Sequence, residues 1–326
     1  MLVGSQDGGA ETFFTRLGPA LHKRGMRQHM VISPHAGREA AFKACGLPYS
    51  VVDFESWFGL KGRWRLRRIL RTERPDVIVA WMNRAARRLP KGRFRTVGRL
   101  GGKYKLKHYD RCDRLIVNSR PLLDYVQTHG WPDATLIANF VAPETAAPLH
   151  EKPRNKPLLL TSGRLHRQKG FNNLVEAMQS IDAELWIAGE GEERSHLEAS
   201  IRQWNLEHKI KLLGWRQDMA ALLATADMFV FPSTFEGTSN ALLEAMFHAK
   251  PIVTTDGEGV SWFLTHDEDA LIVPTGNAKA LSEAVNALLP DRQRASRLAA
   301  NAKATYEREF SEDAICRQWI KFFEVV

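Results

Sequence analysis

Short apolar runs alternate with amphipathic stretches of helical period along almost the whole chain. In the first half the runs fall at Met1–Gly4, Gln28–Ser33, Tyr49–Phe54, Asp76–Trp81, Thr96–Leu100, Leu115–Asn118 and Thr135–Ala138. Runs of that length bounded by turn residues read as strands, and a 3.6-residue period between them reads as helix. The stretch AETFFTRLGPALHKRG is one such helix, stopped by Gly25. Strand–helix alternation through short connections predicts a parallel, doubly wound α/β sheet. The pattern breaks at NFVAPETAAPLHEKPRNKP (Asn139 to Pro157), which has four prolines and no period. It restarts as LLLTSG, AELWIAG, KIKLLG, DMFVFPS, PIVTT and ALIVP, again with helical patterns between. The expected organisation is therefore an α/β unit over residues 1–148 and a second over 149–308. The amphipathic tail 309–326 should form a helix that packs back on the body. Two such sheets in series leave a cleft, with ligands beyond the carboxyl ends of the strands.

Composition narrows the class. The 326 residues exceed what one core usually supports, and 44% apolar with 25% charged residues is globular. There is no run of about 18 uncharged apolar residues to span a membrane. The start MLVGSQDGGAE lacks a signal-peptide pattern. Cys45, Cys112 and Cys316 are odd in number and scattered, which suits buried thiols in a reducing compartment. A cytoplasmic protein is expected.

Charge is divided unevenly. Residues 1–150 carry 26 Lys and Arg against 12 Asp and Glu, while the remainder carries 20 against 25. Such asymmetry suggests that the first half meets something anionic.

Candidate chemistry collects at strand ends. Gly8 and Gly9 precede a helix, where paired glycines let backbone N–H groups approach an anion, although a plain tight turn has the same sequence. In SGRLHRQKGF, Gly163 is followed by Arg164 and Lys169, a fork and a point charge suited to a diphosphate; a solvated basic loop is the other reading. Gly189 lies in the glycine-rich turn IAGEGEE, and Trp215 and Arg216 follow another strand, where a base could lie. In FEGTSNALLEAM, Thr238 or Ser239 can cap a helix whose first turn is Asn240, Ala241 and Leu242. The N–H groups there and the helix dipole favour a phosphate, and Gly237 lets it come close. Glu236 before the helix and Glu244 inside it are placed to accept hydroxyls at either end of a nucleotide sugar.

Together these segments resemble the retaining glycosyltransferases of family 4, which have the GT-B fold. Glu236 and Glu244 match the E-x7-E signature, GRLHRQKG matches the family's "GRL…KG", and Gly8 to Glu11 match its opening GGAE. ATADMFVFPS and DALIVPTGNAKALSEAV fit the flanking segments. The resemblance implies two Rossmann-like domains with parallel sheets facing across a cleft. It also implies a nucleoside diphosphate sugar as co-substrate, a UDP-sugar favoured, with no cofactor and no metal. Arg164 and Lys169 would neutralise the departing diphosphate, Glu236 would hold the transferred sugar, Glu244 the ribose, and Gly8 and Gly9 the phosphates. The implied product is a cell-envelope polysaccharide or lipopolysaccharide; a nucleotide-sugar epimerase or a non-catalytic nucleotide-binding protein is the alternative. Relatives often carry a His at the end of the strand that reads VGRLGG here, where this chain has Gly101 or Gly102. Asn83, Lys103 and Tyr104 are the acceptor-side candidates. Relatives often read G-x-P after the signature helix, where this chain reads AKP from Ala249, a packing variation; GEGVSWFL replaces the usual GGxxE, so an acid that the family places near the base or ribose is missing.

The basic half fits this reading. In SWFGLKGRWRLRRILRTERP, Trp57, Phe58, Trp64, Leu66, Ile69 and Leu70 interleave with Arg63, Arg67 and Arg68, the composition of an interfacial helix. A core-facing stripe under a solvated basic face is the other reading. Docking at the inner face of the cell membrane, near a lipid-linked glycan acceptor, is expected. No recognition motif supports nucleic acid.

Overall fold

The computed structural model describes residues 1–4, 8–54, 60–141, 144–149 and 156–326. Trp57 and Phe58, and residues 142–143 and 150–155 of the proline-rich stretch, lie outside them. The chain forms two compact units, Met1–Phe140 with Glu312–Val326, and Val141–Ser311.

The first unit contains strands β1 (Met30–Ile32), β2 (Tyr49–Val51), β3 (Val77–Trp81), β4 (Arg95–Leu100), β5 (Arg114–Val117) and β6 (Thr135–Leu136). Helices α1 (Gly9–Lys23), α2 (Ala36–Ala44), α3 (Leu60–Glu73), α4 (Met82–Ala86) and α5 (Arg120–Thr128) lie between them. All pairings are parallel, in two ladders, β1–β2 and β3–β4–β5–β6. Met1–Gly4 is not the full strand its pattern suggests, and Gly4 has φ +125. Leu2 still bridges parallel to both Ile32 and Trp81, and so joins the two ladders.

The aliphatic stripe of helix α3 does not face outward as the interfacial pattern expects. Leu66 is buried and Ile69 and Leu70 pack partly buried against the same core, so the aliphatic stripe faces inward. Trp64, 66% exposed, is left among the exposed Arg63, Arg67 and Arg68.

The second unit has β7 (Leu158–Ser162), β8 (Glu184–Ala188), β9 (Ile210–Gly214), β10 (Met228–Phe231), β11 (Ile252–Thr255) and β12 (Leu271–Val273). Its helices are α6 (Phe171–Ala177), α7 (Arg194–Gln203), α8 (Met219–Thr225), α9 (Asn240–Phe247), α10 (Ala278–Leu288) and α11 (Arg292–Thr305). The strand order is β12-β11-β10-β7-β8-β9, all parallel. Counted from β7, this is the doubly wound order 3-2-1-4-5-6, which reverses direction between β7 and β10. The strands are nearly continuous apolar runs because helices cover both faces.

A last helix, α12 (Glu312–Val325), belongs to the first unit. Trp319 stacks on Trp81 at 5.9 Å between ring centroids, and Arg24 bonds Glu312 at 2.9 Å and also Asp313. Not all thiols are buried. Burial pushes Cys112 up to about 12 and Cys316 up to about 11, but Cys45 is exposed.

Candidate active site

In an open parallel sheet, the loops leaving two strands on either side of the reversal diverge and leave a crevice. Here those loops are 163–170 after β7 and 232–239 after β10. The Lys169 ammonium bonds Glu236 Oε1 across this point and lies 5.5 Å from the centroid of the Phe231 ring. Residues 67 apart in sequence thus form one charged centre. The side chains are 21% and 13% exposed, enough burial to strengthen the pair and enough access for a ligand.

Glycines let the loops reach this centre. Gly170 has φ +66, and a Cβ there would lie 2.1 Å from Pro232 O. Gly189 has φ +153, and its Cβ would lie 1.9 Å from Gly163 O. Gly163 and Gly189 therefore serve close passage of backbone at the ends of β7 and β8. The loops are also stitched together: Gln168 O accepts from Thr234 N at 2.8 Å and from Thr234 Oγ1 at 3.1 Å.

Arg164 is not brought onto Lys169. Its side chain is 71% exposed and bonds Glu192 at 3.1 Å. Backbone hydrogen bonding, with Arg164 and His166 adding to it, holds the Glu192 carboxyl below its ordinary range. Glu192 is a partner that the spacing of the sequence does not single out. Trp215 is 77% exposed rather than packed, while Arg216 forks onto Asp218 and draws that carboxyl down.

Ser239, not Thr238, caps α9, its Oγ accepting from Leu242 N at 3.4 Å. The Leu242 N–H is therefore taken by the cap. Thr238, Ser239 and Leu242 are buried, whereas Gly237, Asn240, Ala241 and Glu244 are half-buried. Residues 257–259 brace the approach to α9. Glu236 N donates to Glu258 O at 2.9 Å, and a Cβ on Gly259 would stand 1.9 Å from Glu236 O.

Two sequence profiles match this chain in tandem: glycosyltransferase family 4 over residues 7–145 and glycosyl transferases group 1 over residues 144–305. The lipopolysaccharide core biosynthesis glycosyltransferase LpsD of Rhizobium meliloti is 32% identical, covering 98% of this chain and 95% of LpsD. The chain belongs to the group 1 glycosyltransferases. LpsE of the same organism is 29% identical over 97% of this chain and 96% of its own. Among solved structures, Anabaena HepE in complex with UDP-glucose superposes with a TM-score of 0.83 over 100% of this chain and 99% of that one. At 19% identity this likeness speaks for the fold, which is GT-B with two Rossmann-like units.

In the first unit of this glycosyltransferase, the remaining candidates stand at strand ends. Gly8 is the N-cap of α1 in extended backbone, Gly9 opens the helix, and a Cβ on Gly8 would meet Glu11 Oε2 at 2.8 Å. Asn83 is half-buried near the start of α4, beyond β3. Beyond β4, Lys103 Nζ lies 5.9 Å from the centroid of the Tyr125 ring, and burial raises the Tyr104 phenol above its ordinary value. A Cβ on Gly102 would lie 3.8 Å from Tyr104 Oη. Among the described residues no helix is long and apolar enough to cross a membrane, and no three His, Cys, Asp or Glu side chains group to hold a metal.

Proposed function

We propose that this glycosyltransferase transfers a sugar, with retention, from a nucleoside diphosphate sugar to a lipid-linked glycan of the cell envelope. The observation that carries the reading is the Lys169–Glu236 pair at the reversal of a doubly wound sheet, beside the start of α9. It joins a cation for a departing diphosphate to a carboxylate for sugar hydroxyls. Relatives named as lipopolysaccharide core glycosyltransferases favour such an acceptor. HepE, described with UDP and UDP-glucose, favours uridine.

In this mechanism the bond from the anomeric carbon to the diphosphate oxygen breaks, and its electron pair stays on the diphosphate. Lys169 and Arg164 stabilise that growing charge, and Arg164 exchanges Glu192 for phosphate. The acceptor oxygen forms its bond on the face the diphosphate leaves, and its proton passes to the departing oxygen. Glu236 holds the transferred sugar and Glu244 the ribose. These lysine and arginine charges serve in place of a metal. The enzyme works at the inner face of the membrane, held through the exposed Arg63, Arg67 and Arg68 of α3 with Trp64 at the lipid boundary.

Titration with UDP, GDP and ADP in the presence of EDTA, followed by thermal stability, tests the reading. One diphosphate at 100 times its dissociation constant should add about 2.7 kcal/mol. The gain should shrink in Glu244→Ala. No response to any of the three would overturn the proposal. Flotation with vesicles tests the membrane step: binding should require anionic lipid and weaken in the triple Arg63, Arg67, Arg68→Ala variant.

A further inference from the structure

Ser233 follows β10 by two residues and has no exposed surface. Its hydroxyl has three oxygens in reach: Gln168 O at 3.0 Å, Phe235 O at 3.2 Å and Glu236 Oε1 at 3.0 Å. A hydroxyl carries one proton. Gln168 O is already supplied twice by Thr234. Of the remaining two, the carboxylate is nearer and is the stronger acceptor, since hydrogen bonds to an ionised oxygen are about twice as strong as neutral ones. The proton therefore belongs to Glu236.

Both side-chain partners of that carboxylate, Ser233 and Lys169, then fall on Oε1. Among the described residues Oε2 has no protein donor. The backbone behind it is fixed at both ends. Ser233 O accepts from Thr255 Oγ1 and would lie 2.6 Å from a Cβ on Gly257, while Glu236 N is tied to Glu258 O. What is left to set is the rotation of the carboxyl group.

We infer that Ser233 is a positioning residue for sugar transfer: its hydroxyl pins Glu236 Oε1, so that Oε2 alone is offered to a hydroxyl of the transferred sugar. The inference rests on the function proposed above and adds to it the division of labour between the two oxygens. Lysine can turn its N–H groups towards a phosphate when the donor binds. Ser233 cannot move in the same way, and it holds Oε1 through that change. Positions in a catalytic constellation are held by such supporting hydrogen bonds, and small displacements are costly.

The test compares Ser233→Ala, Ser233→Cys, Glu236→Gln and the Ser233→Ala/Glu236→Gln double variant. Release of nucleoside diphosphate from UDP-, GDP- and ADP-sugars, with water as acceptor, gives kcat and KM; calorimetry with the free diphosphates gives affinity. Ser233→Ala should lower kcat about 10- to 100-fold while diphosphate affinity stays within about twofold. Ser233→Cys, a weaker donor, should recover part of the rate. The double variant should be no slower than Glu236→Gln, because a residue acting through Glu236 has nothing to position once that acid is gone. Wild-type turnover with an unaffected Ser233→Ala overturns the role of Ser233 alone, as do losses that multiply in the double variant. So does a loss of affinity and thermal stability without a loss of kcat. A wild type that binds no diphosphate and turns over no donor overturns the functional reading, and this inference with it.

Discussion

Lys169 and Glu236 form an ion pair at the point where the second sheet reverses its strand order, with the Phe231 ring beside the ammonium. The arrangement gives the two residues separable duties. Lys169→Ala should weaken diphosphate binding and lower kcat by about 10²- to 10³-fold, the cost of removing a charge-stabilising donor. Glu236→Gln should lower kcat comparably while the diphosphate still binds, because the amide keeps the shape and loses the charged acceptor. Turnover and calorimetry on both variants check this. A Glu236→Gln enzyme with wild-type kcat would remove the carboxylate from the reaction.

Two glycines with positive φ, Gly189 at the end of β8 and Gly130 beyond α5 in the first unit, predict a graded response to added methyl groups. Gly189→Ala combines φ +153 with a Cβ 1.9 Å from Gly163 O, between two backbones that have no room to part. Gly130→Ala has φ +95 but nothing within 4 Å, so it meets backbone strain alone. Strain of this kind costs roughly 1–3 kcal/mol. Gly130→Ala should stay within that range and Gly189→Ala should exceed it, as read from denaturant midpoints. Equal losses would mean that the two strand ends separate easily.

Much of the second sheet is legible along the chain because its strands are buried on both faces and so are written as unbroken apolar runs, as in DMFVF and LLLTS. Lys169 and Glu236 each stand out locally, one in a basic loop and one before a helix. Their contact is not local. It follows from β7 and β10 becoming neighbours, which depends on the order of the whole sheet. Ser233 shows the same limit: a serine three residues before an acid is common, and only its complete burial and its three nearby oxygens mark it. On α3 the helical period was readable but its direction was not, since the same stripe of Leu66, Ile69 and Leu70 can face a core or a membrane.

Ala249 is a departure whose consequence is visible in the backbone. It has φ +49 just past α9; Ala249 N bonds Met246 O and Lys250 N bonds Ala245 O, both at 3.0 Å. That is a Schellman cap, whose left-handed position usually belongs to glycine. The reading of AKP as a packing variation therefore misses a strained residue. Ala249→Gly should stabilise the protein by about 1 kcal/mol, as relief of a left-handed alanine outweighs the added freedom of the unfolded chain. Thermal midpoints of the two forms decide it, and a lower midpoint for the glycine variant would show the alanine to be unstrained.

His248 caps the same helix and predicts an acid-side weakness. Burial lowers its pKa below 6.5, and the positive charges of Lys250 and Lys303 lower it further. Lys250 is held in place by the carbonyls of Ala224 and Ala226. Above the ordinary histidine range the ring is neutral in folded and unfolded chains alike, so it adds no pH dependence. As pH falls through 6.5 the unfolded chain takes the proton first. The folded state loses stability until the pH passes below its own depressed value, where the loss levels off. His248→Gln cannot take that proton and should lose less stability than wild type between about pH 7.5 and pH 5. Thermal midpoints across this window should converge or cross as the solution is acidified. Parallel curves would mean that His248 titrates in the folded protein as it does in the unfolded chain.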